Sequence, residues 1–160
     1  MEESRARGQG FRIPPPLLYL FPLLSGYIIQ HFVPIHLVSG AASARTLRLV
    51  GWAEIAIALA LMAWSFSTFR RLQTPVLPGR PARLLVQEGP YSLTRNPIYL
   101  GLALIYVGIV FVTNALWPLV FLPEALALTF LFAIRLEEQY LAQEFGDAFR
   151  EYRSRVRRWI

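Results

Sequence analysis

Two stretches hold residue types that could do chemistry. The first, Glu88–Gly101, reads EGPYSLTRNPIYLG. It joins a Gly89-Pro90 turn signal to a polar approach of Ser92, Thr94 and Arg95, then to Asn96-Pro97 at the head of an apolar run. Asn is among the best N-cap residues, and Pro suits the first helical position, where its missing N–H would be unsatisfied anyway. Asn96 is therefore expected to cap a helix that begins at Pro97. The free N–H groups of such a start favour an anion, and Arg95 adds a cation beside them. The second stretch, Glu137–Trp159, opens on two adjacent carboxylates, Glu137 and Glu138, directly after an apolar segment. Covered by other chain, such a pair can bind the hydroxyls of a ribose or an ammonium group; uncovered, it is a solvated charge pair that ends a span.

Both stretches must be positioned by apolar elements. The chain has 160 residues, 55% of them hydrophobic and only 16% charged, with a mean hydropathy of +0.42. Apolar residues in long blocks at that level indicate one integral membrane domain. The net charge of +6 comes from arginine alone, and most of the arginines flank apolar runs. Anionic lipid headgroups explain that placement better than nucleic acid does. Cysteine is absent, which excludes disulfides, thiolate metal sites and cysteine nucleophiles. Arg5, Arg7 and Arg12 precede an apolar run as in a signal sequence, but no small-residue cleavage pattern follows, so a retained first helix is expected.

The expected fold is all-α, with four transmembrane helices and a C-terminal amphipathic cytoplasmic helix. Residues 1–13 form a polar tail, and Pro14, Pro15 and Pro16 stop the first helix, which spans about Leu17–Val33 with a kink at Pro22. Helix two covers about Arg45–Phe69, enough for a hydrocarbon core that needs about 20 residues. The proline-rich interval 70–95 reads as extended and irregular. Helix three, Pro97–Val112, and helix four, about Leu116–Ile134, are separated by Thr113-Asn114, so they should form an antiparallel hairpin; Pro123 should bend the latter. Beyond Arg135 the apolar beat of Leu141, Phe145, Phe149 and Tyr152 marks the amphipathic helix, interrupted near Gly146. Four spans put fourteen of the sixteen arginines, both termini and both chemical stretches on one side, which positive-inside makes the cytoplasm, most simply that of a bacterial plasma membrane.

Other polar residues have weaker claims. Glu54 and Glu124 fall inside predicted spans at similar depth, where ionisable groups are costly, and are expected to form a structural polar cluster with Arg48, Gln30 or His31. His31 and His36 lack a third ligand at metal spacing, so no metal site is expected. The Arg153–Arg158 cluster reads as a lipid anchor before a phosphate site. Thr74, ahead of Pro75, reads as a turn residue.

The ordered series GPY, R-N-P-x-Y-x-G (Arg95, Asn96, Pro97, Tyr99, Gly101), E-E-x-x-L (Glu137, Glu138, Leu141), F-G (Phe145, Gly146), an aromatic-x-x-Tyr and R-V-x-R-W (Arg155, Val156, Arg158, Trp159) resembles the integral membrane methyltransferases related to isoprenylcysteine carboxyl methyltransferase and phosphatidylethanolamine N-methyltransferase. The resemblance covers about half the chain, from Phe69 onward. It implies S-adenosylmethionine as methyl donor, bound by Gly89, Tyr91, Arg95, Asn96, Pro97, Tyr99, Glu137, Glu138 and Leu141, with Arg95 and Glu138 carrying the catalytic role, and a lipophilic acceptor drawn from the membrane. The donor's carboxylate suits Arg95 and the helix start, and its ribose or ammonium suits Glu137 or Glu138. At Thr74 the resemblance implies a cofactor contact, on equal terms with the turn. The family often has His where this chain has Asn96. Asn cannot titrate near neutral pH, so a general base at 96 is ruled out. A carboxylate acceptor needs none, because methyl transfer to an ionised nucleophile is mainly positioning. The expectation is thus isoprenylcysteine-type carboxyl O-methylation, with phospholipid N-methylation and a non-catalytic scaffold of the same fold as the alternatives.

Overall fold

A computed structural model describes residues 13–73 and 84–159; Thr74, most of the 1–13 tail and the centre of the 70–95 interval lie outside the described residues. Helix α1 is Pro15–Phe32, α2 is Ala41–Arg71, and a short 3-10 turn, Gly89–Ser92, leads to α3, Pro97–Thr113. The remainder is one broken helical run: α4 Leu116–Val120, α5 Leu122–Thr129, a π-helical turn Phe130–Ile134, and α6 Arg135–Arg155. The described chain is all-α. Two runs, Ala41–Arg71 and Leu116–Arg155, are long and apolar enough to cross a membrane, and α3 is a shorter apolar helix.

Several boundaries differ from expectation for physical reasons. The proline triplet does not keep Pro15 and Pro16 out of α1, because first-turn residues have no intrahelical N–H partner to lose. Helix α2 is longer than read at both ends, since the small residues Ala41–Ala44 extend its start. The fourth helix is broken at Phe121, just ahead of Pro123, and then continues without a gap into the charged tail helix. Gly146 does interrupt that helix, with φ 51° and ψ −118°, a conformation glycine adopts without a Cβ penalty.

Packing is by two pairs. α3 lies along α2, while α4 and α5 pack on α1, so the short loop at Asn114 joins two layers and does not create the main helix contact. Asn114 sits in the left-handed region at φ 53° and its amide zips the connector, Oδ1 accepting from the Val38 N–H at 3.0 Å and Nδ2 donating to the Val38 carbonyl at 3.0 Å. Tyr19, Tyr106, Val110 and Ala125 form the buried centre, with the Tyr106 hydroxyl donating to the Pro118 carbonyl at 2.6 Å. Small residues let backbones meet in lipid, where van der Waals contact drives association. A Cβ on Gly51 would stand 2.6 Å from the Gly108 carbonyl oxygen, and one on Gly26 would stand 2.4 Å from the Pro118 Cα. Gly51→Ala should therefore lower thermal stability in detergent by about 1–2 kcal/mol, although Ala is the better helix former; an unchanged melt would refute tight α2–α3 contact.

The polar residues of the spans do not gather as expected. Gln30 instead ties α1 to its neighbours, donating to the Ile35 carbonyl at 2.8 Å and accepting from the Trp117 N–H at 3.3 Å. Glu124 is exposed on α5, and Glu54 keeps one buried oxygen without a hydrogen-bond partner. No hydrogen bond or ion pair joins the two among the described residues. They sit on helices that belong to different packing pairs, which depth-counting along single helices cannot reveal. His31 lies edge-on to Phe32, and the backbone of His36 pairs with that of Ala115.

Candidate functional site

The start of α3 and the start of α6 are brought together at one end of the helices. Pro97 opens α3 and is fully buried, and Asn96 takes the N-cap position with φ −132°. Its side chain does not cap the helix, however. Nδ2 donates to the Arg158 carbonyl at 3.1 Å, and the Thr94 hydroxyl donates to the same oxygen at 3.0 Å. The Arg95 N–H donates to the Arg157 carbonyl at 3.0 Å. Arg157 and Arg158 therefore form a strap across the lead into α3. Capping would use its Oδ1 as an acceptor; in the structure its amide donates, and the partner is the strap's carbonyl.

Arg95 carries the electrostatics. Its side chain is 9% exposed, and Nη1 stands 2.9 Å from Glu138 Oε1, yet Nε and Nη1 have no acceptor in hydrogen-bond geometry. Arg158 takes the better seat on the same carboxylate, Nε donating to Oε1 at 3.0 Å and Nη2 to Oε2 at 2.8 Å, while its guanidinium lies 5.0 Å above the Phe130 ring. Burial pushes the Arg95 guanidinium down from its ordinary value, the Glu138 charge acts against that, and Arg158 and Arg153 reinforce it. Burial raises the Glu138 carboxyl, but the Arg158 hydrogen bonds and the charges of Arg95, Arg158 and Arg153 more than offset it, leaving it below its ordinary value.

Glu137, the other carboxylate, points elsewhere. It accepts from the Tyr99 hydroxyl at 2.9 Å, and the Tyr99 carbonyl in turn accepts from Tyr19 at 3.1 Å, so α1, α3 and α6 are linked in series. Beside this pair is a shallow groove lined by Ile13, Pro15, Tyr99, Phe132, Leu136 and Glu137. Its wall includes the π-helical turn, an irregularity that often marks functional positions. Tyr91 is buried against Phe69, with ring centroids 5.2 Å apart, and its carbonyl accepts from the Tyr152 hydroxyl at 2.7 Å. Burial, with the Glu137 charge second, raises the Tyr91 phenol, and burial raises Tyr152 to about 12. Gly89, at φ 63°, backs onto Thr68 of α2 so closely that a Cβ would meet its hydroxyl at 2.7 Å. Leu141 is half-buried one turn beyond the Glu pair.

The structure thus unites Arg95, Asn96, Pro97, Tyr99, Glu137 and Glu138 in one region, and gives Gly89 and Tyr91 a supporting position beneath it. Sequence reasoning missed the parts of Thr94, Tyr152 and Arg158. Arg158 in particular is no lipid anchor, being held at both its guanidinium and its carbonyl. The spacing Phe149-x-x-Tyr152, with both rings buried, was the available signal that the tail docks inward.

The pairing has a pH consequence. A carboxylate whose folded value is lowered contributes stability that is present in full above its ordinary range and is lost as pH falls through the lowered value. Acid titration should therefore release the strap early: protection of the Arg95 and Val156 amides, relative to intrinsic exchange, should drop before that of α3. Simultaneous loss would refute the coupling of Glu138 to the strap.

Among curated proteins the chain is similar to the cobalt-zinc-cadmium resistance protein CzcN of Cupriavidus metallidurans, at 35% identity over 101 residues, which is 62% of this chain and 46% of that protein. The chain therefore spans about half the length of this relative. No solved structure matches it. The model of the phospholipid methyltransferase family matches residues 47–148, well over half of the chain and a segment that includes Arg95, Tyr99 and both glutamates; that family takes in the membrane methyltransferases of the phosphatidylethanolamine and isoprenylcysteine types. On its fold, the contents of this site and that match, the chain belongs to the phospholipid methyltransferase family.

Proposed function

We propose that the protein transfers a methyl group from S-adenosylmethionine to a lipophilic acceptor at the cytoplasmic face of the membrane, most simply a carboxylate of the isoprenylcysteine type. The observation that carries this reading is Arg95, nine-tenths buried at a helix start, with Nε lacking a partner and Nη1 held by Glu138 only as an ion pair without hydrogen-bond geometry. A buried donor left unsatisfied costs about 1–3 kcal/mol, more when charged, which an anionic ligand group would recover. The residues fit the cofactor. Arg95 would hold its carboxylate, Glu137 with Tyr99 would take its ribose or ammonium, and Tyr91 and Leu141 would supply apolar wall.

When bound, the cofactor supplies a methyl group activated on a sulfonium. The chain's part is then to align donor and acceptor and to exclude water, for which the groove between α1, α3 and the π-helical turn offers an apolar approach from the side. Asn96, which cannot titrate near neutral pH, suits an acceptor that is already ionised. A second reading, N-methylation of a phospholipid amine, is favoured by the description of the matching family; there the amine must lose a proton, and Glu137 at the end of the groove would receive it.

The test is calorimetric binding of S-adenosylmethionine and its demethylated product to the detergent-purified protein, followed by incubation of labelled donor with the host's lipid extract. Label released by mild base marks a methyl ester, whereas base-stable label in a phospholipid headgroup replaces the first acceptor class with the second. A protein that binds neither donor nor product is the non-catalytic scaffold, and the enzyme reading falls.

A further inference from the structure

Arg158 lies beyond the segment matched to the family, and the proposed chemistry gives it no part, yet both its backbone and its side chain are tied into the site. Its carbonyl is the shared acceptor for Thr94 and Asn96, and its guanidinium both forks onto Glu138 and covers Phe130 at the head of the π-helical turn. A guanidinium and a carboxylate are matched for two parallel hydrogen bonds, so one arginine can occupy the facing in-plane position on each of the two oxygens. Arg158 does so. Arg95 is left with an ion pair at 2.9 Å and no hydrogen-bond geometry.

Resting on the reading of a cofactor site at Arg95, we propose that Arg158 is a positioning residue that acts through Glu138. By occupying the bidentate seat it leaves Arg95 a poorly aligned approach to Oε1, an ion pair without a hydrogen bond, and so preserves donor capacity on a buried cation for the ligand's anionic group. The pair of glutamates then divides its work. Glu138 is part of the support, and Glu137, which shares the groove with Tyr99, is the carboxylate that meets the ligand. The strap's carbonyls lock the arrangement by fixing the backbone of Arg158 to the lead into α3.

A mutant cycle on the full chain in detergent tests this, with the demethylated product of S-adenosylmethionine as probe. Arg158→Ala should weaken binding roughly ten- to a hundredfold, the worth of a charge-assisted hydrogen bond. Glu138→Gln removes the carboxylate that would otherwise satisfy Arg95, so it should suppress most of the Arg158→Ala loss, and the double variant should stay within about twofold of Glu138→Gln alone, because the two residues act as one unit. Arg158→Ala combined with Glu137→Gln should instead multiply the separate losses. Arg158→Lys keeps the charge and loses the fork; it should bind weakly, shift the acid limb of the binding profile to higher pH, and take the place of Arg158→Ala in the cycle if that variant does not fold. Unimpaired binding by Arg158→Ala, or losses that multiply against Glu138→Gln, overturns the positioning role and leaves the cofactor reading intact. An unaltered chain that does not bind the probe overturns both.

Discussion

Arg95→Ala is expected to abolish measurable binding of S-adenosylmethionine while leaving the helical fold in place. The residue contributes one buried donor atom without a partner, Nε, and a second, Nη1, that is only ion-paired with Glu138, and charge-assisted hydrogen bonds to such donors contribute about 1.5–3 kcal/mol each. Even one such bond at the top of that range is about a hundredfold in affinity, and two would put binding beyond calorimetric reach. Stability should change little, because Glu138 keeps its two hydrogen bonds to Arg158 and is not left as an uncompensated buried charge. Melting temperature in detergent should thus fall by far less than the affinity. A variant that melts normally and binds normally would remove the observation on which the proposed function rests. Arg95→Lys sharpens the experiment: it restores charge but cannot present the same planar donors, so it should recover only part of the affinity.

How far the sequence foretold this site depends on which kind of regularity each residue obeys. Helices α1 and α3 and the interruption at Gly146 follow from local rules of apolar runs, proline and glycine, and their existence was legible. The Glu pair and Arg95 stood out as polar groups at the ends of apolar runs, but local rules could not tell a covered binding pair from a solvated charge pair that ends a span. Their partners were not legible. Which arginine sits on Glu138 depends on the path of the strap, and that path is set by hydrogen bonds between positions more than sixty residues apart, such as Thr94 to Arg158. The placement of Glu54 and Glu124 failed for the same reason. Depth along a helix is a one-dimensional quantity, whereas the pairing of α2 with α3 and of α1 with α4 and α5 is decided by small-residue contacts such as Gly51 to Gly108 and Gly26 to Pro118.

Asn96 offers the cleanest separation of local rule from tertiary structure. If its side chain capped α3, Asn96→Asp would be neutral or stabilising, because Asp caps as well as Asn and its charge suits the positive end of a helix. In the structure its amide nitrogen donates to the Arg158 carbonyl from a position only 6% exposed. Asp has no N–H to offer, so the substitution would aim a carboxylate oxygen at a carbonyl oxygen within a buried contact. The expected result is destabilisation by about 3 kcal/mol, at the upper end for an unsatisfied buried polar group because one partner is charged. The loss should be local first: the Arg95 amide, held by the Arg157 carbonyl, should exchange faster, while the middle of α3 keeps its protection. Lowering the pH should restore part of the stability, since protonation gives the aspartic acid an O–H that can donate to the same carbonyl, opposite in sign to the acid response expected from Glu138 in the unaltered chain. An Asn96→Asp variant as stable as the parent would return Asn96 to its capping role and detach the strap from the start of α3.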